Sequence, residues 1–122
     1  MSIKGRTVVE FQSDADVSAA IERWAGENKY LLKTQDGTWR VYQKGENILV
    51  PPMMLAVART GNAYRMEAWV RFPMINRVMS LGMLPDEARI ESEAGKKGFI
   101  PRNKLRKEVN TLLGQLGVQP IA

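Results

Sequence analysis

The chain has 122 residues, 44% hydrophobic and 25% charged, with a net charge of +5 and neither cysteine nor histidine. That size and balance predict a single globular domain that buries roughly two-thirds of its unfolded surface. The two missing residue types exclude disulfides, thiolate zinc sites and thiol nucleophiles, and they remove the commonest general base and metal ligand. The expectation is a protein without catalysis, metal or cofactor.

Residues 6–12 read as a strand, with Val9 and Phe11 on one face and Val8, Glu10 and Gln12 on the other. The first ten residues carry no apolar core of the signal-peptide kind, so a cytoplasmic location is expected. Ser13 reads as a helix N-cap, with Asp16 in the reciprocal capping position. Val17, Ala20, Ile21, Trp24 and Ala25 follow at helical spacing and form one apolar stripe. Gly26 and Asn28 read as stop signals.

A run of strands comes next. Residues 30–35 and 38–44 flank Asp36-Gly37, a dipeptide suited to the positive φ of a tight hairpin. Gly45, Glu46 and Asn47 form a turn, and Pro51-Pro52 breaks the ladder before a strand at 53–60. Gly61-Asn62 turns again into the clearest strand, 63–72. There Tyr64, Met66, Ala68, Val70 and Phe72 alternate with Arg65, Glu67, Trp69 and Arg71. Residues 73–81 read as a short helix stopped by Gly82 and Pro85, and 87–92 as a last strand. Pro101 suits the first turn of a final helix whose stripe is Leu105, Val109, Leu112, Leu113 and Leu116, ended by Gly117. The order predicts a two-layer α+β domain. Its mostly antiparallel sheet of about five strands carries the N-terminal and C-terminal helices on one face.

The Asp36-Gly37 hairpin, the strand from Tyr64 to Phe72 and the helix from Leu105 to Leu116 stand in an order similar to the β-α-β4-α topology of a TATA-binding-protein-like repeat. The order is more loosely similar to helix-grip folds. The chain also resembles small uncharacterised bacterial α+β proteins through Glu67-Ala68-Trp69-Val70 and Asn110-Thr111-Leu112-Leu113-Gly114-Gln115-Leu116-Gly117. These resemblances imply a fold and no activity, since topology alone does not define function.

Three features carry functional expectations. Residues 96–107 hold Lys96, Lys97, Arg102, Lys104, Arg106 and Lys107 with no acid among them. The remainder of the chain then sums to −1. Basic side chains at a helix start oppose the helix dipole, and a bound phosphate offsets that repulsion. The spacing is not that of a P-loop. The bland alternative is a solvated face whose charge is offset by Glu91, Glu93 and Glu108.

The second feature is a basic and aromatic sheet face. Arg40, Tyr42 and Lys44 share one face of their strand, and Arg65, Trp69 and Arg71 share one face of theirs. Aligned register would merge them into a surface opposite the helices that stacks bases or holds an acidic ligand. The bland alternative is the ordinary wet side of a sheet, with Trp69 covered by its cross-strand neighbours.

The third feature is the segment 72–84, with eight apolar residues in thirteen positions, among them Phe72, Ile75, Met79 and Met83. Exposed, it would be a partner surface, a dimer contact, a lid or a membrane-surface anchor. Buried, it caps the core. Carrying Arg77, it is too short to span a bilayer. The leading functional expectation is a non-enzymatic binding or interaction domain. It takes a protein partner, a second copy or a small ligand through this segment and the sheet's apolar rim. The alternative is anion or nucleic-acid binding through 96–107.

Overall fold

The structure, a computed structural model, describes residues 5–45, 52–71, 87–91 and 99–122. The helix expected at 73–81, the residues Phe72, Ile75, Met79 and Met83, and the pair Lys96 and Lys97 lie outside the described residues. The elements are β1 (Thr7–Gln12), α1 (Ser18–Glu27), β2 (Leu31–Asp36), β3 (Trp39–Lys44), β4 (Met53–Thr60), β5 (Ala63–Arg71), β6 (Glu87–Ala88) and α2 (Phe99–Gln115). Every described strand pairing is antiparallel, in the order β1-β5-β4-β3-β2. The short β6 pairs with β5 beyond the start of β1. This is the expected α+β architecture, and no described helix is long and apolar enough to cross a membrane.

Strand alternation sorts the side chains. Val57, Leu55 and Met53 of β4, Tyr64, Met66, Ala68 and Val70 of β5, and Tyr42 of β3 form the main core. They pack there with Ile21, Trp24 and Ala25 of α1 and Leu105, Val109, Leu112 and Leu113 of α2. Both helices therefore cover the same face. Each fully buried leucine contributes about 1.5–3 kcal/mol through the water it leaves. On the opposite face Met54, Ala56 and Trp69 form a small second cluster edged by Trp39 and Val41.

The two hairpin turns are alike. Asp36 pairs with Trp39 and Thr60 with Ala63, which leaves Gly37-Thr38 and Gly61-Asn62 as the central residues. Only the glycines have positive φ, +60° and +61°, the pattern of a type II′ turn. Asp36 is thus the last ladder residue rather than a turn centre.

Asn28 is the C-cap of α1 and Gly117 ends α2 as expected, while Ser13 and Gly26 depart from expectation. Ser13 is not the N-cap. Its N–H donates to the Asn62 carbonyl at 2.9 Å, which extends the pairing of β1 beside β5, and its hydroxyl donates to Ala15. The first helical N–H, of Ser18, instead donates to the Asp16 carboxylate at 2.9 Å. At the other end Gly26 stays helical, and Lys29 takes the left-handed conformation with φ of 64°. The Tyr30 N–H reaches the Ala25 carbonyl and the Lys29 N–H that of Gly26, a Schellman close. Gly117, with φ of 71°, closes α2 the same way through the Val118 and Gly117 N–H groups.

The last strand is also shorter than the 87–92 expected. Beyond Ala88, the Ile90 N–H goes to the Thr7 hydroxyl at 2.9 Å. The carbonyls of Arg89, Ile90 and Glu91 are taken by arginine side chains of α2 rather than by a ladder.

Candidate functional site

The basic segment is built into the fold where it is described. Arg102 is 3% exposed. Its Nε donates to the Arg89 carbonyl at 2.6 Å and its Nη2 to that of Glu91 at 2.9 Å. Arg106 donates to the Ile90 carbonyl at 3.0 Å and to Asn103 at 2.7 Å. Burial first, and then the neighbouring Arg106, lowers the pKa of Arg102 from its ordinary value. Both arginines thus hold the backbone of 89–91, while Lys104 and Lys107 face solvent.

Of the acids expected to offset the segment, Glu93 lies outside the described residues, and Glu91 and Glu108 have other partners. Glu91 pairs with Arg89 and accepts from Thr7. Glu108 accepts from Tyr30 at 2.9 Å and Lys44 at 2.8 Å, and its backbone carbonyl accepts the Trp24 indole N–H at 2.7 Å. Burial, then the Glu108 carboxylate, pushes the Tyr30 hydroxyl far above its ordinary value. This cluster ties the end of α1, the end of β3 and the middle of α2 together.

The expected merged sheet surface does not form. Arg40 stands opposite Val57 and Tyr42 opposite Leu55, so both lie on the helix-facing side, and Tyr42 is in the core. Arg65, Trp69 and Arg71 stand on the other side, since Trp69 pairs with Met54 and Arg71 with Glu87. Residue parity was read rightly within each strand, but the register between strands puts the two sets back to back.

On that far side charges alternate in a chain. Arg6 pairs with Glu87 through two nitrogens at 2.9 Å and with Glu67 at 2.8 Å. Arg65 pairs with Glu67 at 3.0 Å and Glu10 at 3.1 Å. The Arg6 guanidinium lies 3.6 Å from the Trp69 ring centre. Burial raises the Glu67 pKa, but the hydrogen bonds from Arg6 and Arg65 outweigh it and hold the carboxyl below its ordinary value. Trp69 is buried, so it offers no stacking platform, although its indole N–H has no partner among the described residues.

Among the described residues, a concavity more enclosed than two others lies on the helix-facing side, beneath the first turn of α1. Its floor is Gln35 of β2, Arg40 and Tyr42 of β3, Val57 and Arg59 of β4, and Tyr64 of β5. Ser18 and Ile21 of α1 form the roof, and the turn residues Gly37 and Thr38 close one end. The cavity measures about 230 Å³, below the usual range of roughly 300–1,000 Å³ for ligand pockets, so it suits a very small molecule.

Tyr64 is fixed by its hydroxyl against Val17 N–H and the Ala15 carbonyl, at 3.3 and 3.4 Å. Arg59 is aimed by Nε donation to the Gly61 carbonyl at 2.8 Å. Each arginine meets one carboxylate at the rim, Arg40 with Glu22 at 2.6 Å and Arg59 with Asp16 at 3.3 Å. Those carboxylates are 57% and 63% exposed, and such pairs are worth about 0–1 kcal/mol. Arg59 and Tyr64 escaped sequence reasoning. Arg59 could have been found, because it shares strand parity with Val57 on the face expected to be apolar.

Two more open depressions exist. One lies between β1 and residues 119–122, the other around Lys33, Val41, Met54 and Arg71. No group of three or more metal-ligating side chains occurs among the described residues. Comparison of the chain with protein-family models, with curated proteins and with solved structures returns no match.

Proposed function

We propose that this chain is a non-enzymatic binding module and that the cleft beneath α1 holds a small ligand. The observation that supports this reading is the joint construction of the cleft. Four strands and one helix contribute to it, and hydrogen bonds fix two of its polar side chains, Arg59 and Tyr64. Hydroxyl, amide and guanidinium groups line it together with Ile21 and Val57, and no lining residue is a carboxylate. That is a recognition surface of mixed apolar and polar character with no group suited to general-base work near neutral pH.

A fragment screen by protein-observed NMR tests the reading. Hits should perturb Ser18, Thr38 and Val57 and should be lost in Ser18→Trp, which fills the roof. Hits that map elsewhere and survive that substitution overturn it.

A partner-binding reading attaches to the sheet's rim. Leu31 and Leu32 are the exposed large hydrophobics of the described residues, on the edge strand β2. A bulge between Leu32 and Thr34 interrupts that edge, and bulges of this kind blunt strand pairing. Light scattering coupled to size exclusion decides it. A concentration-dependent dimer abolished by Leu32→Lys supports the rim, and a monomer at all concentrations removes it. The polyanion reading retains Lys104 and Lys107 as exposed described cations. It predicts a mobility shift with DNA or RNA in low salt that disappears as salt rises.

A further inference from the structure

Resting on the cleft as a ligand site, we infer that its ligand is a compact dianion, a short dicarboxylate or a phosphate monoester, held between Arg40 and Arg59. The two arginines come from adjacent strands and both line one cavity, none of whose lining residues is a carboxylate. Each carries five N–H donors in a planar fork suited to carboxylate or phosphate oxygens. Arg59 spends its Nε on Gly61 and one Nη on Asp16, with its guanidinium 5.5 Å from the Tyr64 ring centre, and Arg40 contacts Glu22 through one Nη and engages the Tyr42 hydroxyl, so part of each five-donor fork is left for a ligand. Hydroxyls of Ser18 and Thr38 line the same cavity and add donors for further ligand oxygens.

Glu22 and Asp16 act in this scheme as rim competitors. Each is more than half exposed, so it returns to water at little loss when a ligand anion displaces it. The ligand gains what they lack, since the floor of Tyr42, Val57 and Tyr64 keeps water from one side of the charge pair and strengthens it. Two cations matched by one dianion leave the occupied cleft neutral. The cavity volume of about 230 Å³ restricts the ligand to a small molecule and excludes a polymer lying within it.

The test titrates the intact chain with succinate, with inorganic phosphate and with dimethyl succinate as the uncharged control, read by NMR shifts of the arginine Nε–H and tyrosine ring signals. Succinate or phosphate should bind and the diester at least tenfold more weakly. The preferred anion then distinguishes a carboxylate ligand from a phosphate one. Arg40→Gln or Arg59→Gln should each weaken anion binding about tenfold, with folding checked by circular dichroism. Glu22→Gln should tighten it several-fold, because a competitor is gone, and a merely structural role for Glu22 predicts no such gain. Raising salt from 50 to 500 mM should weaken binding at least tenfold. Equal binding of succinate and its diester, or unchanged affinity in both arginine variants, overturns the dianion and leaves the cleft reading intact. If these anions and an uncharged fragment set all leave the cleft signals unmoved, both fall together.

Discussion

Arg6 shows how one side chain can hold several partners. It lies over the Trp69 ring and pairs with both Glu67 and Glu87. Arg6→Ala should cost about 1–3 kcal/mol in denaturant unfolding, since it uncovers Trp69 and strips Glu67 of one cation. Glu67 also sets a pH dependence. Its folded pKa lies below the ordinary 4.5, so its contribution is present above that value and is lost as pH falls through the folded pKa. Unfolding free energy should therefore decline on acidification below about pH 4.5, and Arg6→Gln should flatten that decline; an unchanged acid limb in the variant would refute the assignment. Tyr30 gives the alkaline counterpart. Its folded pKa is raised above the ordinary 10.0, so stability is full below that pH and falls as pH rises beyond it. Little of this was legible in residue patterns. Glu67 and Glu108 read as surface acids, because a partner 61 residues or more away in the chain, as Arg6 and Lys44 are, leaves no periodic trace.

The secondary-structure elements were legible in kind and less so at their ends. The stripe from Val17 to Ala25 identified α1, but its start was assigned to Ser13, whose N–H belongs to the sheet. Asp16→Ala should therefore lower the melting temperature more than Ser13→Ala does, a comparison that thermal denaturation makes directly. At the other end Lys29 holds a conformation that glycine takes without strain. Lys29→Gly should be neutral or stabilising by up to about 1 kcal/mol, because relief of strain of about 1–2 kcal/mol is partly offset by the added freedom of the unfolded chain. A clear loss of stability in that variant would show that the Schellman close depends on the lysine side chain. The short β6 has a comparable explanation. Arg102 and Arg106 take the carbonyls that a longer strand would have offered, so Arg102→Ala should cost about 1–3 kcal/mol by leaving the part-buried carbonyls of Arg89 and Glu91 without that donor.

At the scale of the whole molecule one face of the sheet carries both helices, and Leu105, Val109, Leu112 and Leu113 of α2 complete the core that α1 begins. Leu112→Ala should cost about 2–5 kcal/mol, the usual cost of emptying a fully buried leucine site, and it should lower the melting temperature cooperatively for every probe. Composition and alternation alone determined the α+β class, the antiparallel meander, the two apolar helix stripes and the face on which each residue of a given strand lies. These are local properties, set by periods of 2 and 3.6 residues. Only the tertiary structure decided which faces meet. Register across β3, β4 and β5 turned Arg40 and Tyr42 toward the helices and Arg65 and Trp69 away from them. It also brought Arg59, from a different strand, alongside Arg40 beneath α1. Pairing between strands is fixed by turns and by the packing of distant elements, and neither is written in the pattern of a single strand.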